Sequence, residues 1–200
     1  MIFIFGLFLA TALSLVVEKA LTGIAYRRWQ ELIPVYSWSL YKYRAIELVF
    51  AVALVFVAQG YSGSQLIWVI LGLSAAWLSV LTDSYDGVIY DLFTIPFAVA
   101  FLIISFFSGG FMLSVIGATL GFTLSALLSK TNKMGQGDVT LLLFYGAWLG
   151  LYGLVRALCF GSIATGVILL VLLITKKINM KSRLPFAPVM FLGAAIHLCL

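Results

Sequence analysis

Apolar runs long enough to enter a bilayer recur from one end of this chain to the other, and that recurrence restricts the fold more than any motif. A helical span needs about 17–25 mostly apolar residues, because the hydrocarbon core is about 30 Å thick. Eight stretches approach or reach that length, at about 1–17, 45–59, 65–82, 93–108, 111–129, 139–155, 157–175 and 185–200. The 200 residues are 64% hydrophobic and only 10% charged, whereas soluble domains are about half apolar. No sizeable soluble domain can be cut from such a pattern. The chain therefore reads as all-α, one polytopic membrane domain over 1–200 with about eight transmembrane helices. The opening run Met1–Val17 has no basic residue before it and its first charges, Glu18 and Lys19, after it. It reads as a retained first span rather than a cleaved signal peptide.

The basic residues orient these spans. Lys19, Arg27, Arg28, Lys42 and Arg44 follow the first run, Lys130 and Lys133 follow the fifth, and Lys176, Lys177, Lys181 and Arg183 follow the seventh. Eleven of the 12 Lys and Arg thus fall on alternate loops, with only Arg156 on the other side. The positive-inside rule places those loops in the cytoplasm, with both termini outside the cell membrane. The net charge of +5 is then a topology signal, and because it is spread over juxtamembrane loops it argues against a nucleic-acid partner. The 18–44 loop carries Trp29, Trp38 and several tyrosines, which suit an interfacial belt at the lipid headgroups. Cys159 and Cys199 lie in late apolar runs without CxxC spacing. They read as small apolar packing residues and give no support to a disulfide framework or a metal site.

The acids are the chemistry-bearing residues. Asp138 closes Lys133-Met134-Gly135-Gln136-Gly137-Asp138, directly before the uncharged run VTLLLFYGAWLGLYGLV. An ionisable group at the centre of a bilayer costs at least about 2.5 kcal/mol and less near its rim, so its placement there calls for a reason. Gly135 and Gly137 would let another backbone approach the carboxylate closely. A second acid, Asp83, ends the run QLIWVILGLSAAWLSVLTD. If that helix continued, Asp83, Asp86 and Asp91 would share a face. Asp83 and Asp138 come from different spans but reach the same cytoplasmic rim. A carboxylate pair that shares one proton can hydrolyse a peptide: one takes a proton from water while the other donates toward the carbonyl oxygen. These two acids suggest an intramembrane aspartic protease. Asp138 would stand at a helix N-terminus, which favours its ionised form, and Asp83 at a C-terminus, which favours the protonated one.

At this point a family resemblance extends over nearly the whole chain. Asp83, followed by Asp91, Thr94 and Pro96, has the spacing of the first aspartate motif of the type IV prepilin peptidases. Gly135-Gln136-Gly137-Asp138, then Leu141-Leu142 and Gly146-Ala147-Trp148-Leu149-Gly150, resembles the second, and Leu184-Pro185-Phe186-Ala187-Pro188 resembles the final-span signature. Leu32-Ile33-Pro34-Val35-Tyr36-Ser37 and Glu47-Leu48 are similar to the N-terminal region. The resemblance implies that 65–200 is the peptidase core and that Asp83 and Asp138 are its catalytic pair. Gly135, Gly137, Asp91, Thr94, Pro96 and Glu47 would bind substrate or support the site. It implies cleavage of prepilin or pseudopilin precursors after a glycine, behind a short basic leader, in type IV pilus assembly or protein secretion. The peptidase reaction would need no cofactor and no metal. Many members also N-methylate the new terminus with S-adenosylmethionine, a step to which the position of Glu47 points. The 18–44 loop has none of the paired cysteines often found there, and Thr140 stands where the family usually has a lysine.

Two other readings remain open. Presenilin-like proteases pair Gly-x-Gly-Asp with Tyr-Asp, and Tyr85-Asp86 and Tyr90-Asp91 supply that dipeptide, though no Pro-Ala-Leu follows. A transporter or assembly anchor would place charges near mid-span, whereas the acids here lie at span boundaries. A bland explanation also covers Glu47, which follows Arg44 by three residues and could pair with it on one helical face.

Overall fold

The computed structural model describes residues 6, 8–9, 11–12, 50–131, 134–175 and 185–200. The 18–44 loop, Glu47 and Leu184 lie outside the described residues. Among the described residues, five helices follow one another from Gly63 onward: α1 (Gly63–Asp86), α2 (Asp91–Ser108), α3 (Phe111–Lys130), α4 (Gln136–Ile174) and α5 (Phe186–Cys199). No strand occurs among the described residues. Among the described residues four helices are long and apolar enough to cross a membrane, at Gly63–Ser84, Asp91–Ser108, Phe111–Lys130 and Gln136–Val171, and α5 is shorter. The protein is an all-α membrane protein.

The chain falls into two compact units, 1–70 and 71–200. In the first, residues 50–58 are helical, with Phe50, Ala51, Leu54 and Val57 buried. A Cβ on Gly6 would lie 3.2 Å from the Ala51 Cα and from Leu54, so the missing side chain lets two segments meet closely.

In the second unit the longest helix doubles back. Gly150 in α4 has φ 69° and ψ −176°, a conformation almost restricted to glycine. A straight helix would separate Leu142 from Leu154 by about 18 Å at 1.5 Å per residue. Yet a Cβ on Gly121 would lie 2.5 Å from the Leu142 carbonyl oxygen and 3.3 Å from the Leu154 side chain. The two limbs, 136–149 and 151–174, therefore lie side by side. The sequence reading places this break at Arg156, the one charge in the run. The backbone makes it at Gly150, since reversing a helix requires a permissive φ and ψ, whereas a cation can stay on a helix.

Small residues set the helix registers. Gly117 meets the backbone of Gly146, the kind of close approach that small residues permit between helices in lipid. Gly161 faces the Val189 carbonyl, Gly193 faces that of Ala157, and Gly153 faces His197. Those pairings run α5 antiparallel to the second limb. The end of the first limb packs on α1, where the Trp148 ring fills the space beside Gly72. Cys159 and Cys199 are exposed free thiols rather than packing residues.

Candidate active site

The register of α1 against the first limb brings two acids together. From Gly72 to Asp83 is about 16 Å of helix, and from Trp148 back to Asp138 about 15 Å. Two antiparallel helices matched at Gly72 and Trp148 therefore present Asp83 and Asp138 at the same level. Both line one cavity of about 790 Å³, and their charges interact. The walls come from four segments: Asp83 and Ser84, the connection Gly87–Ile89, Gly135–Asp138, and Pro185–Phe186. That volume is ordinary for a ligand site.

Each carboxylate accepts a backbone amide at the start of a helix. The Gly135 N–H donates to Asp138 Oδ2 at 3.0 Å, closing the first turn of α4. The Ala187 N–H donates to Asp83 Oδ2 at 2.9 Å, from the first turn of α5. The second bond changes the reading by helix polarity. Asp83 does lie in the last turn of its own helix, which extends to Asp86, but its carboxylate reaches the N-terminus of another. Helix dipoles therefore do not separate the two acids.

The glycines have distinct duties. A Cβ on Gly137 would lie 2.7 Å from the Ile89 carbonyl oxygen and 2.9 Å from the Ile89 Cβ. Only glycine there admits the 87–90 connection against α4. A Cβ on Gly135 would come within 3.3 Å of Asp138 Oδ2, so this position keeps the carboxylate uncrowded.

Asp91, Thr94 and Pro96 stand apart from the cavity lining. Helix α1 ends at Asp86, and Gly87, at φ 64°, turns the chain, with its N–H donating to the Asp83 carbonyl at 3.0 Å. Asp91 therefore starts α2 and does not share a helical face with Asp83. Its Oδ1 accepts from the Thr140 hydroxyl at 2.9 Å. Thr94 is buried, with its hydroxyl 3.4 Å from the Asp91 carbonyl. Pro96 sits inside α2 and withholds one amide from its first turns. Two participants had no assigned role in the sequence reading. The Ala187 amide is one, inside the segment Pro185-Phe186-Ala187 singled out only as a span signature. Thr140 is the other, noted only as a departure.

The architecture defines a helical membrane protein with two acids on one boundary cavity, and comparison with known proteins narrows that class. The model of the type IV leader peptidase family matches residues 69–171, just over half of the chain. The chain belongs to that family. It is 30% identical over 149 residues to the prepilin leader peptidase/N-methyltransferases of Burkholderia pseudomallei strains 1026b and K96243. The match covers 70% of this chain and 48% of each relative, so the chain spans about half the length of the curated relatives it matches. No solved structure matches it.

Proposed function

We propose that the protein is a membrane aspartic endopeptidase that removes the basic leader from type IV prepilin-like or pseudopilin precursors. The observation that carries this reading is the shared cavity in which Asp83 and Asp138 each accept a helix-terminal amide. Two nearby carboxylates resist double ionisation, so they hold one proton between them and titrate as a pair. The ionised member takes a proton from water as its oxygen attacks the scissile carbonyl carbon. The protonated member hydrogen-bonds the carbonyl oxygen as negative charge develops there. Collapse of the tetrahedral intermediate breaks the C–N bond, and the amine leaves with the proton that the ionised member had taken from water. Backbone amides at 135 and 187 hold both carboxylates in place through the cycle.

The peptidase core is 65–200 in this reading, in the inner or plasma membrane with the cavity at the cytoplasmic face. Among the described residues four helices are long and apolar enough to span; if each limb of α4 and the shorter α5 also cross, they would make six passes. The runs 1–17 and 45–59 add two, for eight spans with both termini outside. Cysteine labelling tests this: Ser62→Cys and Ser108→Cys should react from outside, Ser129→Cys and Ser182→Cys only from inside. External labelling at 129 would reverse the topology.

Glu47, the residue of the methyl-transfer reading, lies outside the described residues, and S-adenosylmethionine is the cofactor of that reading. That cofactor would supply the methyl group. Glu47→Gln should spare cleavage and abolish N-methylation, read as the about 14 Da increment on the new N-terminus. Equal loss of both would make Glu47 structural.

The activity itself is tested by incubating membranes holding the protein with a precursor that has a basic leader, a glycine and an apolar helix. Mass spectrometry should show loss of the leader after the glycine. An intact precursor would overturn the reading.

A further inference from the structure

Thr140 stands two residues after Asp138 in the first limb of α4. At 100° per residue it points roughly 160° away from Asp138 around the helix, so it cannot face the same reacting atoms. Its hydroxyl lies 2.9 Å from Asp91 Oδ1 and 3.0 Å from the Gly137 carbonyl. One proton serves one acceptor at a time, and a carboxylate is the stronger of the two. Among the described residues no salt bridge reaches Asp91, so its side chain is tied to α4 by this one hydroxyl.

The tie has a consequence for the cavity. Asp91 is the first residue of α2 and follows directly on the connection that forms one cavity wall. That connection touches α4 at Gly137, through Ile89, and its far end is held by Asp91. Deeper down, α2 meets the first limb at Phe101, whose ring is 6.0 Å from those of Phe144 and Trp148. Those rings lie about 15 Å along α2 from Asp91, at 1.5 Å per residue. They cannot by themselves fix the rim end of the helix.

We infer that the Thr140–Asp91 hydrogen bond is a positioning clasp that holds the Gly87–Ile89 wall against Asp138, so that Thr140 sets the cleavage rate without touching substrate. The inference rests on the peptidase reading above. Loosening the wall lets the scissile bond sit off line from the carboxylates, and misplacement by about 1 Å can cost up to about 100-fold in rate.

Thr140→Val removes the hydroxyl at nearly constant shape. It should lower kcat for precursor cleavage about tenfold with KM changed less than about twofold, the signature of lost positioning. Thr140→Ser restores the donor and should recover most of the loss. Asp91→Ala should match Thr140→Val, and the double variant should be no worse than either, because both break one bond. Wild-type kcat in Thr140→Val, or losses that multiply in the double variant, would overturn the clasp. Should Thr140→Val fail to accumulate in membranes, Asp91→Asn decides. It keeps an acceptor oxygen and should lose less than Asp91→Ala; equal losses overturn the proposal.

A readout independent of cleavage separates this inference from the peptidase reading. Ile89 is 6% exposed, so a cysteine placed there, with Cys159 and Cys199 replaced by serine, should label slowly. Thr140→Val should speed that labelling even if no precursor is ever cleaved. Unchanged labelling would contradict the clasp and leave the function untouched.

Discussion

The two limbs of α4 are equally apolar to the eye and differ sharply in where they sit. In the first, Leu141, Leu142, Phe144, Tyr145, Ala147 and Trp148 are buried. In the second, Val155, Ile163, Val167, Ile168, Leu170, Val171 and Ile174 are exposed, Ile163 by 65% and Ile174 by 72%. In water such a surface would drive association. In lipid it is simply the outside, because acyl chains are as apolar as leucine and confer no hydrophobic penalty. Apolarity therefore tells a membrane helix from a loop but not its inside from its outside. Acids and small residues carry that second kind of information: Asp138 opens the first limb, and on the second the buried positions include the small residues Gly153, Ala157 and Gly161.

The packing of the first limb is most sensitive at Gly146. A side chain there would collide with the Gly117 carbonyl and the Ala118 amide, backbone atoms that cannot swing away. Gly146→Leu should cost about 3 kcal/mol or more, since overpacking of this kind exceeds the usual range. Thermal unfolding in detergent would show it, and an unchanged midpoint would refute the close Gly117–Gly146 crossing. The reversal itself is tested at Gly150. Space is available there, with the nearest Leu113 atoms 3.6 Å from an added Cβ, so Gly150→Ala isolates backbone strain. It should cost about 1–3 kcal/mol. A neutral result would mean that the chain does not turn at this residue. The smallest effect belongs to the second limb. Ile163→Ala removes lipid-facing atoms and should stay within about 0.5 kcal/mol of the wild type. A large loss would mean that this face is packed against protein.

What could be read from the sequence follows the same division. The expected spans at 93–108 and 111–129 agree with α2 and α3 to within two residues, because turn glycines and charges mark their ends. The acids at 83 and 138 could be placed on one rim because basic loops alternate with apolar runs. The reversal at Gly150 was hidden, since hydropathy runs unbroken through it and the only charge nearby, Arg156, stays helical. The Ala187 amide was hidden for a different reason: every residue except proline has an N–H, so no letter marks the one that reaches Asp83. Thr140 and Asp91 are 49 residues apart, and neither shows the pairing alone.

Asp83 and Asp138 should act as one unit, which initial rates of precursor cleavage would reveal. Membranes would carry Asp83→Asn, Asp138→Asn or both, with insertion checked by the labelling pattern above. An amide can neither hold nor release the shared proton, so each single variant should fall to background and the double should be hardly worse. Asp91→Asn should be milder than either, and Asp86→Asn milder still. Robust cleavage by Asp83→Asn together with none by Asp86→Asn would contradict the account and move the partner of Asp138 three residues along α1.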